Sequence, residues 1–177
     1  MIRQIGILLY PDFQLLDAAG VTAAFEIAGG FGGAAYEMTP LSHHGGLVRS
    51  SSGMAIETVP LATAGSFDTL IVVGDEGHRP AMSCPELQAF IRYQATTARR
   101  ICSVCTGAFL LAAAGMLDGR RVTTHWQQAA TLKALFPEVM VSADAIHVHD
   151  GPVWTSAGIS AGIDMALALI TEDLGAD

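Results

Sequence analysis

Residues 101–111 read Ile-Cys-Ser-Val-Cys-Thr-Gly-Ala-Phe-Leu-Leu, and this stretch decides the fold. An apolar run of strand character ends at Cys105, and an almost wholly apolar helical segment, 106–116, follows with no loop between them. Small residues flank the cysteine, with Ser103 two positions before it and Gly107 two positions after it. This pattern is typical of a nucleophile elbow, because a sharp strand-to-helix turn leaves no room for bulky neighbours.

Cys105 at such an elbow is expected to be reactive. A helix N-terminus favours the thiolate, which would lower the pKa of Cys105, and the backbone N–H of Thr106 would receive an oxyanion. Two alternatives stay open, an inert buried thiol and a redox or zinc pair with Cys102. The pair is disfavoured because Cys102 falls inside the predicted strand and no second cysteine pair completes a zinc site. We therefore expect no cofactor and no metal ion.

The rest of the chain alternates apolar runs with helical patterns. Four runs of near-continuous hydrophobicity indicate parallel strands buried on both faces of a sheet, at 5–10, 69–73, 101–104 and 122–125. Helices are predicted at 14–28, 84–98, 106–116, 126–136 and 159–174, and shorter β pieces at 36–42, 47–58 and 138–156. Ser83 and Glu86 have the spacing of a capping box, with Pro85 in the first turn. The alternation predicts a three-layer α/β/α domain.

Composition excludes several classes of protein. The chain has 177 residues, a net charge of −8, 51% hydrophobic and 15% charged residues. It fits one domain; it is too apolar for a disordered chain and too acidic to bind nucleic acid by itself. Three cysteines do not make a disulfide scaffold and suit a reducing cytoplasm. We expect no signal peptide and no membrane helix, since the uncharged stretch 101–117 is better explained as a strand running into a buried helix.

Four segments resemble the ThiJ/PfpI superfamily, which has the class I glutamine amidotransferase-like fold. They are YPDFQLLD at 10–17, the elbow SVCTG at 103–107, GRRVTTHW at 119–126, and DGPVWTSAGISAGID at 150–164. Because they cover nearly the whole chain in order, the resemblance implies a mainly parallel, flavodoxin-like sheet. Within the superfamily the chain looks most like the N-terminal sensor domain of GlxA-like AraC-family transcription regulators.

The resemblance implies roles for two residues near the elbow. Asp17 would lie beside Cys105, where desolvation would keep its carboxyl protonated so that it acts as a general acid. The alternative is an aspartate that only favours a helix N-terminus. His125, which follows Cys105 by 20 positions, would orient or deprotonate the thiol. The alternative is a strand-end histidine held by hydrogen bonds.

The loop after the predicted strand 69–73 is the expected ligand site. Gly74, Asp75 and His78 lie at a strand end where α/β sheets bind ligands, so with Thr106 they are expected to bind a ligand or an oxyanion. The superfamily often has two glycines at the start of this loop, and the acidic residues here disfavour a negatively charged ligand.

Other histidines have weaker signals. His147 and His149 alternate on one strand face and could chelate a metal ion, although they lack obvious partners. His43 and His44 precede two glycines, which indicates a turn.

Two functions follow as expectations. The first is the ligand-sensing, homodimeric domain of an AraC-family regulator, with a small metabolite bound at Cys105 and DNA contacted only by a basic helix-turn-helix domain beyond Asp177. The alternative is a cysteine-dependent hydratase or amidohydrolase like the isonitrile hydratases, with Cys105 as nucleophile and Asp17 as general acid.

Overall fold

A computed structural model describes residues 2–31 and 36–175. Its core is an eight-stranded sheet with the order β3-β4-β2-β1-β5-β6-β10-β9, in which only the two edge strands β3 and β9 run antiparallel to their neighbours. A separate pair, β7 and β8, forms a small parallel sheet. The strands are β1 (Arg3–Leu8), β2 (Tyr36–Ser42), β3 (Gly46–Arg49), β4 (Ala55–Pro60), β5 (Thr69–Val72), β6 (Arg100–Val104), β7 (Arg121–Val122), β8 (Met140–Val141), β9 (His147–Asp150) and β10 (Val153–Ser156).

Helices cover both faces of the sheet, which confirms the three-layer α/β/α prediction. They are α1 (Leu15–Phe31), α2 (His78–Met82), α3 (Pro85–Gln94), α4 (Ala108–Ala113), α5 (Ala129–Leu135) and α6 (Ser160–Leu174). One hydrophobic core packs under α1 and α6, and the other lies under α2 to α5. Within the described part of the chain, no helix is both long enough and apolar enough to cross a membrane.

The central strands have the burial expected of a parallel sheet. Every residue of β5 and β6 is buried, and alternate residues point into opposite cores, with Ile101 on one side and Cys102 on the other. Cys105 therefore leaves the middle of the sheet at its carboxyl edge, where the loops of a parallel sheet converge.

The predicted strand at 122–125 is wrong. Only Arg121 and Val122 are in a strand, and that strand lies in the small sheet. Hydrogen bonds to side chains replace the ladder, because the Thr123 backbone N–H donates to Thr155 Oγ1 at 2.8 Å and Thr124 Oγ1 donates to the Cys105 carbonyl at 2.8 Å. The hydroxyl groups of Thr155 and Thr124 thus hold this buried segment in place without a neighbouring strand.

The predicted helices are present, with α1 extending to Phe31 beyond its predicted end and the other four shorter than predicted. The predicted 84–98 helix ends at Gln94, and a 3-10 turn over 105–107 precedes α4. Pro85 is at the first position of α3, as predicted, but the capping box is wrong. Cys84 is the cap residue and makes no capping hydrogen bond, while the Ser83 hydroxyl donates to the Arg79 carbonyl.

A buried ion-pair cluster fastens the C-terminal end of α6 to the sheet. The Arg100 side chain is almost wholly buried at the start of β6 and donates to Asp173 at 2.9 Å and to Glu172 at 3.0 Å. It also donates to the Leu169 carbonyl at 3.1 Å and to Thr69 Oγ1 at 3.1 Å. Pairing on this scale is what a buried guanidinium requires, since an unpaired charge there would be costly.

Candidate active site

The elbow predicted from the sequence is present at Cys105. This residue has a φ of 57°, a conformation that residues with a side chain rarely adopt, and its side chain is buried. Gly107 makes the turn possible, because a Cβ at that position would collide with the Val72 carbonyl oxygen. The thiol is thus held by a strained backbone that the packing of β5 against the 3-10 turn imposes.

Two glycines pack directly on the Cys105 side chain. A Cβ at Gly158 would lie 3.0 Å from the sulfur, and one at Gly74 would lie 2.7 Å from Cys105 Cβ and 2.5 Å from the Thr106 nitrogen. The space around the sulfur is therefore bounded by backbone, so any group that reaches the sulfur must be small.

The Asp17 carboxyl is fully buried and lies next to this thiol. One oxygen, Oδ1, accepts a hydrogen bond of 2.9 Å from the backbone N–H of Ile159. The other, Oδ2, has no hydrogen-bond partner among the described residues. A buried carboxyl oxygen without a partner is costly, so it marks a position where a proton or a bound molecule could be accommodated.

The two side chains titrate as a pair. Burial raises the pKa of Asp17 to about 6, while the N–H groups of Ile159 and Gly74 act in the opposite direction. Burial, and then the negative charge of Asp17, raise the pKa of Cys105 to about 12. The helix N-terminus was expected to lower the pKa of Cys105, and this prediction is wrong because the surroundings raise it. At a pH between these two pKa values, Asp17 and Cys105 together carry one negative charge and one proton, and the proton can pass between the Asp17 oxygen and the Cys105 sulfur.

Thr106 fastens the loop after β5 to the elbow. Its Oγ1 accepts a hydrogen bond of 2.7 Å from the Asp75 N–H and donates one of 3.1 Å to the Asp75 carbonyl. Asp75 has a φ of 122°, and its carboxylate accepts from Ser51 Oγ and Gln14 Nε2. The Asp75 N–H is thus already used and the Gly74 N–H acts on Asp17, which leaves the Thr106 N–H at the elbow as the candidate oxyanion donor.

The buried His78 side chain makes a hydrogen bond to the same loop, at Asp75. Its ring is buried against Phe109, with 4.8 Å between ring centroids, and Nδ1 lies 2.7 Å from the Asp75 carbonyl oxygen. Because a carbonyl can only accept, Nδ1 carries the proton, and burial lowers the pKa of His78, which favours the neutral ring. His125 is half-buried, and no hydrogen bond joins it to Cys105 among the described residues. Its catalytic role stays a prediction.

The remaining cysteine and histidine candidates lie away from the elbow chemistry. Cys102 is a free thiol buried within β6, where burial raises its pKa to about 12. His147 and His149 both stack on Trp154, at 6.2 Å and 4.0 Å between ring centroids. The chain bends at His43 and His44, as the sequence predicts.

Several residues at the site were missed by the sequence reasoning. Tyr10 is buried, donates to the Val73 carbonyl at 2.7 Å, and has its pKa raised by burial and by the charges of Cys105 and Asp17. Thr124 holds the Cys105 carbonyl. Ile159 has a φ of 48°, which is a strained value for a β-branched residue. The signal that points to Tyr10 and Ile159 is their position in the 10–17 and 150–164 segments, which resemble the superfamily.

A cavity of about 580 Å³ opens at the carboxyl edge of the sheet. Its lining comes from the 9–12 segment, the bend at 42–45, residues 47–49 of β3, and the stretch 77–87 that contains α2. Cys105 and the predicted ligand residues Gly74, Asp75, His78 and Thr106 are not in its lining. We call it the carboxyl-edge cavity.

Comparison with known proteins matches this fold and elbow to one family. The DJ-1/PfpI family model matches residues 3–172. The chain belongs to the DJ-1/PfpI family. This confirms the resemblance found in the four sequence segments.

Relatives of this DJ-1/PfpI chain include both an enzyme and a regulator. It is 36% identical over 183 residues to isonitrile hydratase from Pseudomonas putida, covering all of the chain and 75% of that protein. It is 35% identical over 178 residues to the HTH-type transcriptional regulator GlxA from Rhizobium meliloti, covering 99% of the chain and 55% of the regulator. The chain thus spans about half the length of that regulator.

Solved structures share the whole architecture. A ThiJ/PfpI family protein from Pseudomonas syringae superposes with a TM-score of 0.86 at 29% identity, over 97% of this chain and 69% of that one. The DJ-1/PfpI fold is therefore a mainly parallel, flavodoxin-like sheet between helical layers in both proteins.

Proposed function

We propose that this domain senses a small molecule near Cys105 and transmits its presence to a dimer interface formed by α1 and α6. The hydrogen bond from the Ile159 N–H to Asp17 Oδ1 carries the proposal. Asp17 is in the first turn of α1, and Ile159 immediately precedes α6. Because Asp17 also adjoins the thiol, a molecule that changes the charge or the space at Cys105 acts on both helices at once.

The two helices are packed closely enough to move together. A Cβ at Gly20 of α1 would lie 2.9 Å from Ile163 Cγ1 of α6, and a Cβ at Gly162 would lie 2.8 Å from Val104 Cγ1, next to the elbow. Tight contacts of this kind transmit displacements because close-packed protein interiors have little free volume to absorb them.

The α1–α6 face is the surface that we assign to a second copy of the chain. It is a groove that exposes Leu16, Ile27 and Leu167 and contains Ile163 among alanines and a glycine, and none of the described residues that line it is charged. Each copy carries a net charge of −8, so two copies approach at the lowest electrostatic cost through an uncharged face. Exposed apolar surface of this kind is typical of protein–protein contacts.

The regulator relatives support a sensing role. GlxA is named as an HTH-type transcriptional regulator, and this chain matches 55% of its length. In a protein of that organisation, DNA contact belongs to the part that this chain does not match, which agrees with the acidic charge of the domain. The ligand we propose is a small metabolite that enters through the carboxyl-edge cavity, and the domain is proposed to act in the cytoplasm.

The test uses iodoacetamide as a covalent stand-in for the ligand. Alkylation of Cys105 should shift the dimer dissociation constant, measured by analytical ultracentrifugation, by about tenfold, within the range usual for coupled sites. Cys105→Ser treated with the same reagent controls for alkylation of Cys84 and should show no shift. A dimer constant that is the same before and after modification of Cys105 would overturn the proposal.

A second candidate function is hydration of a small carbon electrophile of the isonitrile class. The observation that favours it is Asp17 Oδ2, a buried oxygen beside the thiol that has no partner among residues 2–31 and 36–175, on a carboxyl whose pKa lies near 6. A group that titrates close to neutral pH can both accept and return a proton during a reaction.

The proposed steps use one nucleophile and one proton carrier. Cys105 sulfur bonds to the terminal carbon of R–NC, while the thiol proton passes to Asp17 and then to that carbon, which gives R–N=CH–S–Cys105. Water then adds to the carbon with Asp17 as base, the C–S bond breaks, and the sulfur regains its proton. The product is the formamide R–NH–CHO, so the net reaction is the addition of one water molecule.

An assay of formamide production by NMR tests this candidate. The unmodified chain and Cys84→Ser should convert an alkyl isonitrile, whereas Cys105→Ser should fall to the uncatalysed rate. Equal rates for the unmodified chain and Cys105→Ser would exclude the hydratase candidate and leave the sensing proposal standing.

A further inference from the structure

We infer that His43, Cys84 and Glu86 form a binding site for a divalent metal ion of the zinc class at the wall of the carboxyl-edge cavity. Their donor atoms all lie within 4.8 Å of one another. Cys84 Sγ is 3.8 Å from His43 Nδ1 and 3.2 Å from Glu86 Oε2. Imidazole, thiolate and carboxylate are the three ligand types that Zn²⁺ uses in proteins.

The observed spacing fits a tetrahedral ion. Bonds of about 2.3 Å to sulfur and about 2.1 Å to nitrogen or oxygen place two ligand atoms of a tetrahedral Zn²⁺ about 3.5 Å apart. The separations of 3.2 Å and 3.8 Å from Cys84 bracket that value, and the three donor atoms, all within 4.8 Å of one another, would have to draw together slightly around the ion.

Charge also balances at this site. A thiolate from Cys84 and the carboxylate of Glu86 together neutralise a divalent cation, and His43 binds as a neutral imidazole. The thiol now donates its hydrogen bond to Glu86, so metal binding replaces one proton with the ion and releases that proton to solvent.

The three ligands are held on elements that fix their positions. Cys84 is the cap residue of α3, and Pro85 restricts the backbone at the first turn where Glu86 follows. His43 lies at the bend after β2, and its ring stacks on His44 with 3.9 Å between centroids. Three protein ligands leave one position of a four-coordinate ion for water or for a donor atom of a molecule in the cavity.

This site is separate from the elbow. His43 and Cys84 line the carboxyl-edge cavity, whereas Cys105 does not. An ion there would place a positive charge at one wall of the cavity and would favour small molecules that carry a carboxylate or another anionic donor. The inference does not depend on sensing or on hydration by Cys105.

Titration of the full chain with Co²⁺ tests the site, because a cobalt–thiolate bond gives a charge-transfer absorption and a four-coordinate ion gives intense visible bands. We expect one equivalent of Co²⁺ per chain, competed by Zn²⁺, with both features unchanged in Cys105→Ser. Cys84→Ser should lose the charge-transfer band, and His43→Gln and Glu86→Gln should each weaken binding at least about tenfold.

His44→Gln is the matched control, since it removes the neighbouring ring and leaves the three ligands intact. It should bind Co²⁺ within about threefold of the unmodified chain, and circular dichroism should show that each variant is folded. The inference is overturned if the unmodified chain shows no charge-transfer band, if that band survives Cys84→Ser and disappears in Cys105→Ser, or if His44→Gln abolishes binding while His43→Gln does not.

Discussion

Asp17 and Ile159 are 142 positions apart in the chain, yet the backbone N–H of Ile159 donates a 2.9 Å hydrogen bond to the carboxyl of Asp17 beside the elbow cysteine. The bond spans the start of α1 and the start of α6, and its acceptor is an ionisable group whose pKa lies near 6. One buried carboxyl therefore connects the chemistry at Cys105 to the position of two helices.

Replacement of Asp17 by Asn should change how the alkylation of Cys105 depends on pH. In the unmodified chain the rate should rise as the pH passes about 6, where the pair acquires its negative charge, because only the ionised pair can place charge on sulfur. Asp17→Asn should lose this rise and react faster only in the alkaline range. Mass spectrometry of the Cys105 peptide after timed exposure to iodoacetamide gives the rates.

Asp75→Asn is the control for that experiment. The Asp75 carboxylate raises the pKa of Asp17, so this variant should keep the rise and move it to lower pH. A rise near pH 6 that persists in Asp17→Asn would assign the titration to another group.

Asp17 should also make stability depend on pH. Its pKa is raised in the folded state from 3.8 to about 6, so the folded chain binds the proton more tightly than the unfolded chain. Stability from this group is therefore greatest at low pH and is lost as the pH rises from about 4 to about 6, by up to about 3 kcal/mol. Urea unfolding of the unmodified chain and Asp17→Asn measures the difference.

The comparison at two pH values removes the contribution of other carboxyl groups. The unfolding free energy of Asp17→Asn minus that of the unmodified chain should be more positive at pH 7.5 than at pH 4. A difference in unfolding free energy that is the same at both values would show that the Asp17 pKa is not raised in the fold.

Gly158→Ala should disrupt the elbow. Gly158 has a φ of 125°, and the added Cβ would lie 3.0 Å from the Cys105 sulfur, so we expect a loss of about 2–3 kcal/mol in unfolding free energy. Gly115→Ala is the matched control, because Gly115 also has a positive φ, 76°, with no atom near the added Cβ. Equal losses in the two variants would mean that contact with Cys105 contributes nothing beyond backbone strain.

A charge placed on the α1–α6 face should separate the two copies. Leu167 on α6 is 51% exposed, and Leu135 on α5 is 53% exposed but lies outside that face. Sedimentation should show Leu167→Asp as a monomer at concentrations where the unmodified chain and Leu135→Asp are dimers, since a buried unpaired carboxylate is costly. A Leu167→Asp chain that remains dimeric would place the interface elsewhere.

The elbow and the layered architecture could be predicted because both depend on local patterns. Ser103 and Gly107 around Cys105 specify a turn, and continuous apolar runs such as 69–73 specify strands buried on both faces. The same pattern predicted a strand at 122–125, which is wrong. Hydrophobic patterning carries no information about the side-chain hydrogen bonds that hold Thr123 and Thr124 outside a strand.

Apart from Asp17 beside Cys105, which the family resemblance implied, features that join distant segments could not be predicted. His43 and Cys84 are 41 positions apart, and no spacing motif links them. The pKa of Cys105 was expected to fall because a helix start follows it, but burial and the Asp17 charge raise it, and both are properties of the tertiary structure.

Helix α6 is attached to the rest of the domain differently at its two ends. At its C-terminal end, Asp173 and Glu172 are clamped by a buried guanidinium, whereas its N-terminal end is tied to α1 through the backbone of Ile159. We therefore expect α6 to pivot about its C-terminal end, where Arg100 holds it to the sheet. A displacement at Cys105 should then move the N-terminal end of α6 and change the tilt of the surface that α6 shares with α1.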